Sequence, residues 1–133
     1  MKFTIMDTKR TNNFNDPDIK QKIRSLWKEN TSSINDAKRQ GLTIASVYYD
    51  YESNYKSDYS ISLCKESNSN ADFDTAKYHW KEYKVNPNDK TSIPKTWNKI
   101  WNDEKKHLIK RVYDFDFEQY KPDGKITIFV AIY

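Results

Sequence analysis

The chain has 133 residues and a mass of 15.9 kDa, which suits one domain with a modest core at 36% hydrophobic content and is too short for two catalytic domains. A mean hydropathy of −1.04 and 32% charged residues lean towards disorder, but 10 Tyr, 6 Phe and 4 Trp supply the buried area that disordered chains lack, so a folded chain is expected. The formal net charge is +4, yet 23 Lys and Arg are interspersed with 19 Asp and Glu, so no phosphate-tracking stripe stands out and direct DNA binding is not expected.

In chain order, Lys2 to Thr11 reads as a strand, and its start has no apolar run of the kind that directs export. Asp16-Pro17 offers a helix start, followed by Ile19, Ile23, Leu26 and Trp27 on one helical stripe. Asn30 to Gly41 reads as a polar loop, and Thr43 to Glu52 as an aromatic-rich strand. Asn54 to Asp58 turns the chain into a further strand at Tyr59 to Leu63, and Lys65 to Asp72 is a polar linker without periodicity. Asp74 to Val85 is the next strand candidate. Ser92 and Pro94 then open a second helix with Ile93, Trp97, Ile100 and Trp101 on one stripe. Lys110 to Tyr120 and Lys125 to Tyr133 read as a hairpin about Lys121-Pro122-Asp123-Gly124.

The two helical stripes repeat each other: Ile19 to Ile93 and Trp27 to Trp101 are both 74 positions apart. Asp50-Tyr51-Glu52 matches Asp116-Phe117-Glu118 at a spacing of 66, and the smaller spacing is taken up by treating Asn30 to Gly41 as extra loop. The expected fold is therefore α+β: one domain over 1–133, made of two βαββ repeats at about 1–66 and 73–133. Pseudo-two-fold symmetry is expected to relate them, with both helices on one side of an antiparallel sheet and a central cleft at the join.

Two glycines, Gly41 and Gly124, rule out Gly-rich phosphate loops, and one cysteine, Cys64, with two distant histidines, His79 and His107, cannot close a structural zinc site. Neither a metal nor another cofactor is expected, and no run of about 20 apolar residues spans a membrane, so a cytoplasmic location is expected. Cys64 has no histidine near it in sequence, and pairing in space is left to the fold. In the strand up to Tyr120, Tyr113, Phe115 and Phe117 share one face while Asp114, Asp116 and Glu118 share the other. Two readings are open here. Either the acidic face is solvated, or one carboxylate sits in an aromatic pocket that attracts a lipophilic cation, which needs a bulge or rings from neighbouring elements. Trp27, Trp97 and Trp101 fit either a core or a cavity wall, whereas Trp80 lies on no helical stripe.

Val47-Tyr48-Tyr49-Asp50-Tyr51-Glu52-Ser53, the helix piece from Ile93 to Trp101, and Asp116-Phe117-Glu118-Gln119-Tyr120 followed by Ile128 to Ile132 resemble the GyrI-like effector-binding domain. That module is attached to many AraC-type and MerR-type transcription regulators and also stands alone, including in integron cassettes. Thr11-Asn12-Asn13 and Leu26-Trp27 are similar to its opening segment, so the resemblance covers nearly the whole chain. It implies two strand-helix-strand-strand repeats around a cleft that takes cationic or amphipathic aromatic small molecules. It also implies Glu118 as the central acidic partner, with recognition weakening once that group is protonated. Tyr48, Tyr51, Trp97 and Trp101 are the implied neighbours, with Tyr113, Tyr78 and Trp80 as further candidate ligand residues. The segment Tyr78-His79-Trp80-Lys81 departs from the family pattern, with Lys81 in place of an aromatic and Trp80 able to fill the cleft. Two alternatives accompany the receptor: a small hydrolase of reactive molecules using the same glutamate, and a module that binds a gyrase-like protein.

Overall fold

Alternation along the strands and 3.6-residue periodicity along the helices sort the side chains onto the two faces of one sheet. A computed structural model describes residues 1–69 and 71–133. The elements run β1 (Lys2–Thr11), α1 (Ile19–Glu29), α2 (Thr31–Arg39), β2 (Ile44–Tyr49), β3 (Tyr59–Glu66), β4 (Phe73–Asp74), β5 (His79–Val85), α3 (Ser92–Lys105), β6 (Phe115–Tyr120) and β7 (Ile126–Ile132). The seven strands pair antiparallel in the order β4-β1-β3-β2-β6-β7-β5, and the sheet curls into a half-barrel, giving a mixed α+β fold. Among the described residues no helix is long and apolar enough to cross a membrane.

One face carries the helices. Leu26, Ile34 and Ala37 pack on Ile44, Tyr59, Ile61 and Leu63, and Ile100 of α3 packs on Tyr83, Val85, Ile128 and Val130. These are two separate apolar groups, one under each end of the helical layer. The opposite face is a single aromatic mass: Phe3, Phe73, Phe115 and Phe117 with Ala45, Val47 and Cys64, backed by Trp80 and Phe129. Phe117 stacks on Phe129 with centroids 4.7 Å apart and planes 10° from parallel. Burying each such side chain contributes about 1.5–3 kcal/mol, and ring pairs add about 0.5–1.5 kcal/mol.

Several expectations are corrected. Asn30 to Gly41 is not loop: it holds α2, whose Ile34 and Ala37 face the core. A one-turn apolar signal among Thr, Ser and Asn residues of low helix propensity hides such a helix. Asp50-Tyr51-Glu52 lies beyond β2, where Asp50 adopts φ 54°, whereas Asp116-Phe117-Glu118 lies within β6, so the matched triplets are not equivalent positions. The strand expected from Lys110 begins only at Phe115. Arg111 makes an isolated bridge to Ile132, and Tyr113 at φ 61° breaks the pleat. Most of the strand expected from Asp74 is likewise β5 alone, preceded by a 3-10 turn at Thr75–Lys77. Lys65 and Glu66 extend β3 rather than belonging to the linker, and Asn70 of that linker lies outside the described residues.

Candidate functional site

The cavity lies where the helical layer has its gap, between α1 and α3 and above β2 and β6. Its volume is about 490 Å³, within the range of small-molecule sites. Ile19, Ile23 and Trp27 form the α1 wall, Ile93, Trp97 and Trp101 the α3 wall, and Ser46, Tyr48, Glu118 and Tyr120 the floor. Helical periodicity is responsible for the walls: the stripe that packs on the sheet at Leu26 or Ile100 also presents tryptophans sideways to the gap. Strand periodicity is responsible for the floor, because Asp116, Glu118 and Tyr120 fall on the helix side of β6 and Phe115 and Phe117 on the other.

Glu118 is 3% exposed and makes three hydrogen bonds. The Tyr48 hydroxyl donates to Oε2 at 2.6 Å, Trp97 Nε1–H donates to Oε2 at 2.8 Å, and the Tyr120 hydroxyl donates to Oε1 at 2.6 Å. The donors come from β2, α3 and β6 itself, so no bulge is required. Burial, followed by the adjacent Glu118 charge, holds the Tyr48 and Tyr120 hydroxyls well above the usual tyrosine range and keeps them as donors. Tyr48 also meets Trp97 edge-on at 5.0 Å, and Trp27 meets Tyr120 at 4.9 Å.

One strand step away, Asp116 is fully buried and joined to Arg111, whose Nη2 donates at 2.7 Å. The Tyr51 hydroxyl donates to the same oxygen at 2.7 Å, while Asp116 Oδ1 accepts the Ala131 N–H at 2.8 Å. That last bond has a topological cause: the β6–β7 ladder ends at Phe117 and Phe129, so a side chain satisfies the amide beyond it. Burial is the largest single influence on Arg111 and acts against its charge, but the Asp116 carboxylate together with Tyr51 and Tyr113 outweighs it, and the guanidinium is held firmly protonated. Its Cζ lies 4.3 Å from the Tyr113 ring centre and 5.9 Å from that of Trp97. At the mouth, Tyr55 stacks on Trp101 at 5.2 Å and Phe14 packs against both.

The structure thus brings Glu118, Tyr48, Tyr51, Trp97 and Trp101 to one cavity. It does not bring Tyr78 or Trp80 there. Both pack against Phe115 on the opposite face, and the Trp80 indole N–H donates to the Thr75 carbonyl at 2.7 Å, so Trp80 cannot plug this cleft. Tyr113 stands behind the wall: its positive φ turns the ring onto Arg111, and its hydroxyl donates to Glu104. The acidic face of β6 is not solvated, since Asp116 and Glu118 are both buried and only Asp114, which accepts from the Tyr78 hydroxyl, is exposed. Sequence reasoning missed Arg111, Ser46, Tyr55 and Tyr59 as cavity residues. Arg111 carries no periodic signal, whereas Ser46 and Tyr48 alternate along β2 and were open to detection. Cys64 is fully buried while His79 and His107 are exposed, so no Cys-His pair forms; burial pushes the thiol far up.

The fold is similar to that of an integron cassette protein from the mobile metagenome of Vibrio cholerae, with a TM-score of 0.78 over all of this chain and 92% of that one. Sequence identity is 19%, so the likeness is one of fold alone. No protein-family model matches the chain, and no curated protein matches it.

Proposed function

We propose that the chain is a small-molecule receptor of the GyrI-like effector-binding kind, a non-enzymatic module that takes lipophilic, cationic aromatic molecules between α1 and α3. One observation carries this reading: the Glu118 carboxylate is buried on the cavity floor, held by three neutral donors, and among the described residues no cationic side chain forms an ion pair with it. A buried charge without a counter-charge is expensive, and neutral hydrogen bonds offset only part of that cost. A cationic ring system entering the cavity supplies the missing charge and gains ring contacts with Trp97 and Tyr48, each cation–π contact contributing about 0.5–2 kcal/mol. The same reading takes the chain as two βαββ repeats about a pseudo-dyad between β2 and β6. Its support is the mirrored strand order, β1-β3-β2 beside β6-β7-β5, with β2 and β6 paired antiparallel at the centre.

The test is titration of a cationic aromatic dye into wild type and Glu118→Gln. Affinity is expected to fall on the order of tenfold in the variant, while its melting curve shows that it remains folded. Unchanged affinity in a folded variant removes Glu118 from its role. Incubation with a reactive electrophile separates the hydrolase alternative: catalytic turnover that Glu118→Gln abolishes would replace the receptor reading.

A further inference from the structure

Four buried side-chain polar atoms find no hydrogen-bond partner among the described residues: Thr4 Oγ1, Ser46 Oγ, and Nε and Nη1 of Arg111. Three of the four belong to residues that line the cavity, and both of those residues are more than nine-tenths buried, Ser46 at 1% exposure and Arg111 at 5%. Buried polar groups are nearly always paired, so a concentration of unpaired ones around a single cavity marks what its occupant should bring.

Their positions define two poles. Ser46 is the cross-strand partner of Glu118, and Tyr48 is that of Asp116, to which Arg111 is bonded. Rows two residues apart on one face of a strand are separated by roughly 7 Å. At the Glu118 row, Oε2 already accepts two donors and Oε1 one, so about one of the carboxylate's four lone-pair sites is left, and the hydroxyl of its cross-strand partner Ser46 is unpaired among the described residues. This pole accepts. At the Asp116 row, the carboxylate likewise takes three donors, from Arg111, Tyr51 and the Ala131 amide, but Nε and Nη1 of the guanidinium have no partner among the described residues, and this pole donates. The Trp97 ring spans the two, with its indole N–H on Glu118 and its ring centre 5.9 Å from Arg111 Cζ.

We infer that the cleft selects amphoteric aromatic molecules: a flat ring system whose cationic or N–H group meets Glu118 and Ser46, and which carries a carboxylate or equivalent acceptor roughly 7 Å away for Arg111. The inference rests on the receptor reading and narrows its ligand class. It runs against the simple charge count, because Glu118 and Asp116 together outnumber the one guanidinium. If Arg111 served only to anchor Asp116, a ligand carboxylate would weaken binding.

Rhodamine B, which has a free carboxylate beside its cationic ring system, and its ethyl ester, which keeps the cation and masks the carboxylate, are a matched pair of probes. Fluorescence polarisation with wild-type protein should show the free acid bound on the order of tenfold more tightly than the ester. Arg111→Lys, which retains a cation for Asp116 but removes Nε and Nη1, should bring the acid-to-ester ratio close to one. Should Arg111→Lys fail to fold, the wild-type ratio decides alone. An ester bound as tightly as the acid, with both weakened by Glu118→Gln, overturns the inference and leaves the receptor reading standing. Binding of neither dye overturns both.

Discussion

On β6, Phe115 and Phe117 point to one side of the sheet and Asp116 and Glu118 to the other, and the two sides are finished differently. The ring side is filled: Phe117 touches Phe3, Trp80 and Phe129, and apart from the Trp80 indole N–H, which donates to the Thr75 carbonyl, nothing in that group needs a partner beyond contact. The helix side is richer in rings, yet it encloses a cavity, because its tyrosines are committed at their hydroxyl ends. A tyrosine that must donate to Glu118 or Asp116 cannot slide to fill space, and α1 and α3 are kept apart by the tryptophans that edge the gap. End-bonded rings make walls, and unbonded rings make a core.

Alkaline pH separates the two faces most strongly. Burial, together with the carboxylates Glu118 and Asp116, raises Tyr48, Tyr51 and Tyr120 well above their ordinary value of 10. Their folded-state values are raised, so their contribution is complete below about pH 10 and is lost as pH climbs from there through the folded values. Urea unfolding followed across this range should show stability falling above pH 10, and a flat response would mean that the tyrosines are not held protonated by the fold. On the filled face, Phe117→Ala should cost about 3–5 kcal/mol in urea unfolding, with dye affinity per folded molecule unchanged. Loss of affinity at full stability would contradict the division between the faces. Glu118→Gln should show the reverse pattern, with affinity down by about 1.4 kcal/mol, the tenfold given above, and a smaller change in stability. The smallest effect belongs to Ser46→Ala. Deleting a buried hydroxyl that has no partner should leave the unliganded protein as stable or slightly more so, within about 1 kcal/mol, while lowering dye affinity. Clear destabilisation without ligand would assign Ser46 to the fold instead.

How much of this was legible depends on whether the cause is local. The stripes Ile19-Ile23-Leu26-Trp27 and Ile93-Trp97-Ile100-Trp101 declare α1 and α3 because amphipathic spacing is written within two or three turns. The two hairpins were visible in their turn residues. α2 was hidden because Ile34 and Ala37 alone mark its buried side, and tertiary contact rather than propensity holds it. At the site, the alternation around Glu118 was legible, but whether its face met water or rings depended on which strand and which helix came to lie over it. Arg111 was beyond reach for a related reason. Its role follows from the end of the β6–β7 ladder and from the backbone reversal at Tyr113, neither of which has a local sequence signature.

The placement of the four tryptophans gives the molecule a built-in optical readout. Trp27, Trp97 and Trp101 edge the cavity, while Trp80 is shielded on the far side of the sheet. An occupant that quenches indole emission on contact should dim three emitters and leave the fourth comparatively bright, so occupancy can be followed in unlabelled protein against an internal reference.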